Sequence, residues 1–330
     1  MAEVSLYDEN RKKPAPQEPE FMPGHMMDKI EQVGENTVQR YVTIKPSMCG
    51  YNTQFVGYIG DVTWETVGLL CGINSFKAFD RHHIPTYLSF YFYQILGNDD
   101  FYLHRPSFGD RLKIVSSCYE LGSESIVTFH RISYGDQDLP PVVSGEEFHH
   151  NRHDKCLYVQ NFNRWIQRGE GGNENLCSAS PAGFKYQHLP RLPTHLSPRI
   201  ECDQARRAGG FQDHEGYVFL DENILPYTID MTRDINGVGL LYFASYFAMA
   251  DQALAFFWKK LKRTPRSFLD RKVTDQRILY VGNADAGTRL LLKSRRLRHK
   301  KTDHRYRFEI NIMEEVSQRL LAIISMDLEE

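Results

Sequence analysis

Residues 240–258 run for 19 positions with a single charged side chain, Asp251, before the basic run Lys259, Lys260, Lys262 and Arg263. A helix apolar on nearly every face has to be hidden from water all round. A bilayer is one way to hide it. However, a spanning helix needs about 20 apolar residues, and an ionisable group at its centre is costly there. Ser245, Gln252 and several alanines in the same stretch weigh further against a span. The other way is a sheet curled around the helix inside a water-soluble protein, and the flanking sequence favours it.

After that helix, expected over 238–261, four stretches read as strands: 277–281, 289–297, 306–313 and 319–327. A strand over 218–227 precedes it. The first half has the same order. A strand over 39–45 and a Gly-containing loop lead into a helix over 53–71, closed by Gly72 in the C-cap place. Strands over 87–96, 101–104, 111–119 and 125–133 follow, the last two joined at Gly122-Ser123. Phe108 to Ser116 can be laid on Ala286 to Ser294 with Gly, Arg, Leu and Ser in register. From Gly109 to Phe129 is 20 residues, and from Gly287 to Phe308 is 21. The shared order of loop, long helix and hairpin-linked strands carries more weight than these identities. An antiparallel sheet has one apolar face needing cover, and each helix supplies it. The class is therefore α+β: a double hot-dog, two antiparallel sheets each wrapped around a long central helix and fused as a pseudo-dimer.

The expected organisation is a flexible arm over 1–38, rich in Pro, Glu, Lys and Asp, and a first domain over 39–148. A loop-rich connection follows over 149–215, then a second domain over 216–330. A chain of 330 residues, 41% hydrophobic and 25% charged, is long enough for two soluble domains. A net charge of −2 gives no global drive toward nucleic acid. The six cysteines lie far apart with no metal-ligand spacing, and no signal peptide is read at the start. Reduced thiols in a cytoplasmic protein are expected.

The segment Asn236-Gly237-Val238-Gly239-Leu240-Leu241-Tyr242-Phe243-Ala244-Ser245-Tyr246, with Asp251 beyond, resembles the active loop and helix start of hot-dog thioesterases. In the first half, Met48-Cys49-Gly50-Tyr51-Asn52 and Gly60-Asp61-Val62-Thr63-Trp64 resemble a narrower group. These are the double hot-dog acyltransferase/decarboxylases of polyketide biosynthesis, of the leinamycin type. That resemblance implies a (methyl)malonyl-coenzyme A thioester as substrate, decarboxylated and loaded as a short acyl group on an acyl carrier protein. It implies no separate cofactor, and no nucleic-acid or membrane partner is expected. Hot-dog folds often pair further, so a homodimer is compatible with it. The group's key side chain is a tyrosine. Its equivalent is Tyr51 in the loop before the first helix, with Tyr58 second. Either phenol could instead simply pack, Tyr51 on the sheet and Tyr58 in the core.

One departure matters chemically. The thioesterase loop usually carries a carboxylate where this chain has Asn236. A carboxylate can act as nucleophile or as general base for water, whereas a neutral amide can only donate or accept a hydrogen bond. Decarboxylation of a malonyl-type thioester needs no base. It needs donors aimed at the thioester oxygen where negative charge develops. Asn236 and a helix N-terminus are expected to supply them.

Asp234, two residues earlier, is the candidate base if the chain hydrolyses thioesters. Asp61 and Thr63 are polar candidates on the first helix, Asp61 facing either the site or solvent. Cys49 reads as a buried thiol, because no histidine stands in a telling position. His149, His150 and His153 read as a solvated loop rather than a metal cluster. Arg295, Arg296 and Arg298, with Lys300 and Lys301, are read either as a landing site for coenzyme A phosphates or an acidic carrier protein, or as an ordinary solvated hairpin. A thioesterase or dehydratase and a non-catalytic acyl-binding protein stand as rival readings.

Overall fold

The structure is a computed structural model describing residues 28–50, 53–135, 137–170 and 172–329. Tyr51 and most of the N-terminal arm, 1–27, lie outside the described residues.

Strand β1 (Lys29–Gln32), within the stretch expected as an arm, pairs with β2 (Thr37–Thr43). Helix α1 (Gln54–Cys71) follows and ends on Gly72, whose positive φ closes the helix with a left-handed C-cap. Then come β3 (Tyr87–Leu96), β4 (Arg111–Glu120) and β5 (Ser125–Tyr134). The expected strand at 101–104 is instead a turn, because the Asn98 side chain accepts from the N–H groups of Asp100 and Phe101 at 2.9 and 2.8 Å.

Helix α2 (Gly145–His150), β6 (Cys156–Arg168), β7 (Leu176–Ser178) and α3 (Arg199–Ala208) all lie in or beside the stretch read as a connection. The second half runs β8 (Tyr217–Thr228), α4 (Ser245–Lys260), α5 (Pro265–Leu269), β9 (Lys272–Tyr280), β10 (Arg289–His299), β11 (Arg305–Glu314) and β12 (Leu320–Glu329).

The strands form one continuous antiparallel sheet in the order β1-β2-β4-β5-β6-β3-β9-β12-β11-β10-β8, with β7 added beside β6. The two halves are thus joined edge to edge through β3 and β9, so the sheets expected as two are one. Strand β6, from the supposed connection, pairs with both β5 and β3 and is central to the first half. It is apolar on both faces (Leu157, Val159 and Trp165 inward, Tyr158 and Phe162 outward), so it lacks the alternation that marks a half-buried strand.

Both long helices lie on the inner face and share one core. Phe55, Val56, Ile59 and Val62 from α1 join Phe247, Ala250, Leu254 and Phe257 from α4. The rest of the connection covers the outer face, where Phe148, Leu192, Leu196, Cys202, Ala205 and Phe211 bury Phe92, Phe129, Phe162 and Leu279. No helix among the described residues is long and apolar enough to cross a membrane. The apolar run of α4 is spent inside the curled sheet.

Candidate active site

The loop before α4 is a small folded unit. Helix α4 begins at Ser245 rather than at Val238 as expected, because the preceding residues bond to one another instead. Ile235 bridges to Leu241, the Asn236 N–H donates to the Leu240 carbonyl at 2.9 Å, and the Gly239 N–H donates to the Asn236 carbonyl at 2.9 Å. Asn236 therefore does not sit at the head of the helix. Its Oδ1 accepts from the N–H groups of Val238 (3.1 Å) and Leu240 (2.9 Å). That fixes the amide with Nδ2 turned the other way, and Nδ2 has no acceptor among the described residues.

Segments from outside the second half brace this loop. Asn173 donates to the Gly239 carbonyl at 2.7 Å, Arg168 donates to the Val238 carbonyl, and Arg168 Nε holds the Asn173 side chain at 3.0 Å. Asn283 clasps the Leu241 backbone from both sides, at 3.0 and 3.1 Å. Sequence reasoning missed these positioning residues, since isolated polar residues in a loop-rich stretch carry no periodic signal.

The loop faces the flank of α1 across a cleft of about 250 Å³. Asn236, Gly237 and Tyr242 line one wall, Gly60, Asp61 and Trp64 the other, and Phe90 and Phe243 lie between. The close approach depends on two glycines of α1. A Cβ at Gly57 would lie 2.8 Å from the Tyr242 hydroxyl, and one at Gly60 would lie 2.3 Å from Phe243 Cζ. The aromatic pair after the loop and the bare glycine face of the helix are therefore complementary.

Asn236 and Asp61 thus share one cleft. Asp61 is open to solvent along the cleft wall, yet enough protein surrounds it that burial, helped by nearby Glu65, raises its carboxyl above the usual range. Tyr242 had been assigned no role. Burial, and then the charge of Asp61, push its phenol up to about 12, so it remains a protonated donor at neutral pH.

The other candidates lie elsewhere. Tyr58 sits on α1 beside Arg40 and Glu65, where burial pushes its phenol up to about 12, and it does not line the cleft. Thr63 is buried in a closed network with His130 (3.0 Å) and Asn161 (2.7 Å). Asp234 is turned into its own loop, accepting from the Tyr227 hydroxyl at 2.6 Å and the Asp230 N–H at 2.8 Å, and it lines no part of the cleft. Cys49 is only partly buried and rests against the Lys45 carbonyl.

Arg295, Arg296 and Arg298 lie on β10, line no part of this cleft, and are paired with Glu309 (3.4 Å), Asp221 (2.9 Å) and Asp303 (3.6 Å). His149 and His150 end α2, and no group of metal-binding side chains occurs among the described residues.

Two helices in the lap of one antiparallel sheet, with a loop-and-helix cleft between the halves, define a double hot-dog protein. The chain belongs to the family described as the LnmK N-terminal hot dog fold domain, whose model matches residues 39–213, more than half of the sequence. A structure described as an oleoyl thioesterase from Lactobacillus plantarum is 11% identical, with 89% of this chain and 95% of that one covered at a TM-score of 0.55. At that identity the likeness is one of fold alone. An acyl-ACP thioesterase from Bacteroides thetaiotaomicron (9% identical, 89% and 98% covered, TM-score 0.49) and a 12:0-ACP thioesterase from Umbellularia californica (10%, 91% and 99%, 0.48) also align. No protein of curated function matches the sequence.

Proposed function

We propose that the chain is a bifunctional acyltransferase/decarboxylase. It takes a malonyl- or methylmalonyl-type coenzyme A thioester, releases carbon dioxide and passes the remaining short acyl group to an acyl carrier protein in polyketide biosynthesis. The observation that carries this reading is the Asn236 amide. Its oxygen is held by two backbone N–H groups, and its Nδ2 donors are left to a cleft in which no carboxylate stands at that position.

In this reading the carboxylate carbon of the bound substrate leaves as carbon dioxide, and its bonding electrons pass into the enolate of the thioester. Asn236 Nδ2 donates to the enolate oxygen, with Tyr242, kept protonated by its surroundings, as a second donor in the same cleft. Asp61, open to solvent on the cleft wall, relays a solvent proton to the α-carbon. The carrier thiol then attacks the thioester carbonyl, and coenzyme A leaves as its thiol. Tyr51 and Tyr58 remain proposals of the family resemblance for the acyl-handling tyrosine. Gly50 and Thr53, the described residues flanking the Tyr51 loop, line a different pocket.

One observation favours a second reading, thioester hydrolysis. Asp61 is a cleft carboxylate with no ion pair among the described residues, and it could activate water. Incubation with methylmalonyl-coenzyme A, with and without an acyl carrier protein and followed by mass spectrometry, separates the two. A propionyl thioester on the carrier is expected. Free methylmalonate or propionate as the only product would favour hydrolysis, and unchanged substrate would favour a non-catalytic acyl-binding protein.

A further inference from the structure

The cleft beside Asn236 does not end on the inner face. Strands β3 and β9 pair only from Phe92–Leu279 to Leu96–Asp275. Beyond Phe92 the two halves part, and a second space of about 220 Å³ opens between β3 and the residues following β9. It shares Ser89, Phe90, Leu176, Leu241, Phe243 and Asn283 with the first, so the two form one passage. The passage leads toward α3 and the outer face of the sheet, and there its lining changes from aromatic to cationic, with Arg164 on β6 and Arg206 on α3.

These arginines differ from most others in the molecule. Arg164 lies flat on Tyr91, its guanidinium carbon 3.9 Å from the ring centroid, and Phe162 is 5.2 Å away. Stacking fixes the side chain without using its in-plane donors. Arg206 is exposed and has no carboxylate partner among the described residues. By contrast, Arg277, Arg296 and Arg307 are all held by aspartates. Glu174 is the one carboxylate in the lining of this outer space, and it stands 3.9 Å from Arg319. The outer mouth thus offers two guanidinium groups with no carboxylate partner among the described residues, one stacked on an aromatic ring and one exposed.

We propose that Arg164 and Arg206 bind the 4′-phosphate of a phosphopantetheine thioester, whose arm threads the passage and delivers the acyl group to Asn236. This rests on the functional reading above and adds to it the polar end of the substrate site. A phosphate suits the pair because a guanidinium presents parallel donors to two of its oxygens. Coenzyme A carries this phosphate, so the subsite would hold the donor thioester while the carrier thiol attacks it.

The test is calorimetric binding of three probes, pantetheine, 4′-phosphopantetheine and coenzyme A, to the full chain and to the Arg206→Gln and Arg164→Gln variants. Arg164→Lys, which keeps the charge but not the stacked fork, guards against a folding defect. Each Gln substitution is expected to weaken 4′-phosphopantetheine and coenzyme A by about ten- to a hundredfold and to leave pantetheine unchanged. Arg164→Lys should fall between wild type and Arg164→Gln. Equal loss on all three probes, or no loss on any, would overturn the assignment. Loss on coenzyme A alone would overturn it too, moving the contact to the nucleotide. If the wild-type chain bound none of the probes, the functional reading itself would fall, an outcome distinct from failure of the subsite.

Discussion

The molecule has two places where the loop before one long helix meets the flank of the other, and they have been put to different ends. Where the Asn236 loop meets α1, about 250 Å³ is open and Asp61 has no ion pair among the described residues. Where the loop around Gly50 and Thr53 meets α4, about 20 Å³ remains among Phe55, His104, Phe247, Asp251 and Gln276. Both helices carry an aspartate about two turns from their start, Asp61 in α1 and Asp251 in α4. The difference is what each carboxylate meets. Asp251 is bound by Arg271, whose side chain is 0% exposed and which also donates, among its other contacts, to the Phe268 carbonyl at 2.7 Å. Duplication of a fold supplies two equivalent positions. A buried cation converts one into a strut, and two glycines facing an aromatic pair hold the other open.

That contrast can be broken at several points. The largest expected effect is on rate. Asn236→Ala should slow decarboxylation by about a hundred- to a thousandfold, as removal of a hydrogen-bond donor to a developing oxyanion does. Asp251→Asn should change the rate per folded molecule by less than about twofold.

Stability should respond the other way round. Asp251→Asn removes the carboxylate that pairs with the buried Arg271 and should cost about 3 kcal/mol in urea unfolding. Asp61→Asn, at a solvated cleft wall, should stay within about 0.5 kcal/mol. Equal costs for the two would mean that the sites are not differentiated as described.

Gly60→Ala tests the wall of the open cleft. Its methyl group would meet the Phe243 ring, so a loss of about 1–3 kcal/mol is expected, together with a raised KM as the aromatic ring is displaced into the cleft.

A further test lies in pH dependence. Burial, and then the charge of Arg271, hold His104 beside the closed pocket down at about 3, and burial, then Arg40, hold His130 near the same value. Unfolded, each would titrate near 6.5. As pH falls below about 6.5 the unfolded chain takes up protons that the native state refuses. Each such histidine should therefore remove about 1.4 kcal/mol of stability per pH unit, down to about 3. Urea titrations at pH 7 and pH 5 would show this, and His104→Gln should flatten the slope if the closed side contributes to it.

The fold was legible because its strongest signals are local. One apolar helix with a single charge, a second with a Gly cap, and turn-separated strands point to a curled sheet with little else needed. What escaped was non-local. Strand β6 looked like part of a linker because its place between β5 and β3 is set by partners about 30 and 70 residues away. The same applies to the site. Asn236 and Asp61 were found as motif residues. Tyr242 was quoted in the motif but given no role, because its meaning comes from Gly57 and Gly60 on another helix. Arg295 and Arg296 looked like a free basic run. In the sheet, Arg295 lies opposite Glu222 and Glu309, and Arg296 opposite Asp221, a register no local pattern announces. Arg164 and Arg206, in a loop-rich stretch, gave no sign of facing one passage.

The central claim is that the open cleft stabilises an enolate and does not activate water. Turnover of methylmalonyl-coenzyme A in H2(18)O, with products read by mass spectrometry, tests it most directly. The account predicts carbon dioxide and a propionyl thioester free of the label. Accumulation of methylmalonic acid carrying 18O, with no carbon dioxide released, would contradict it.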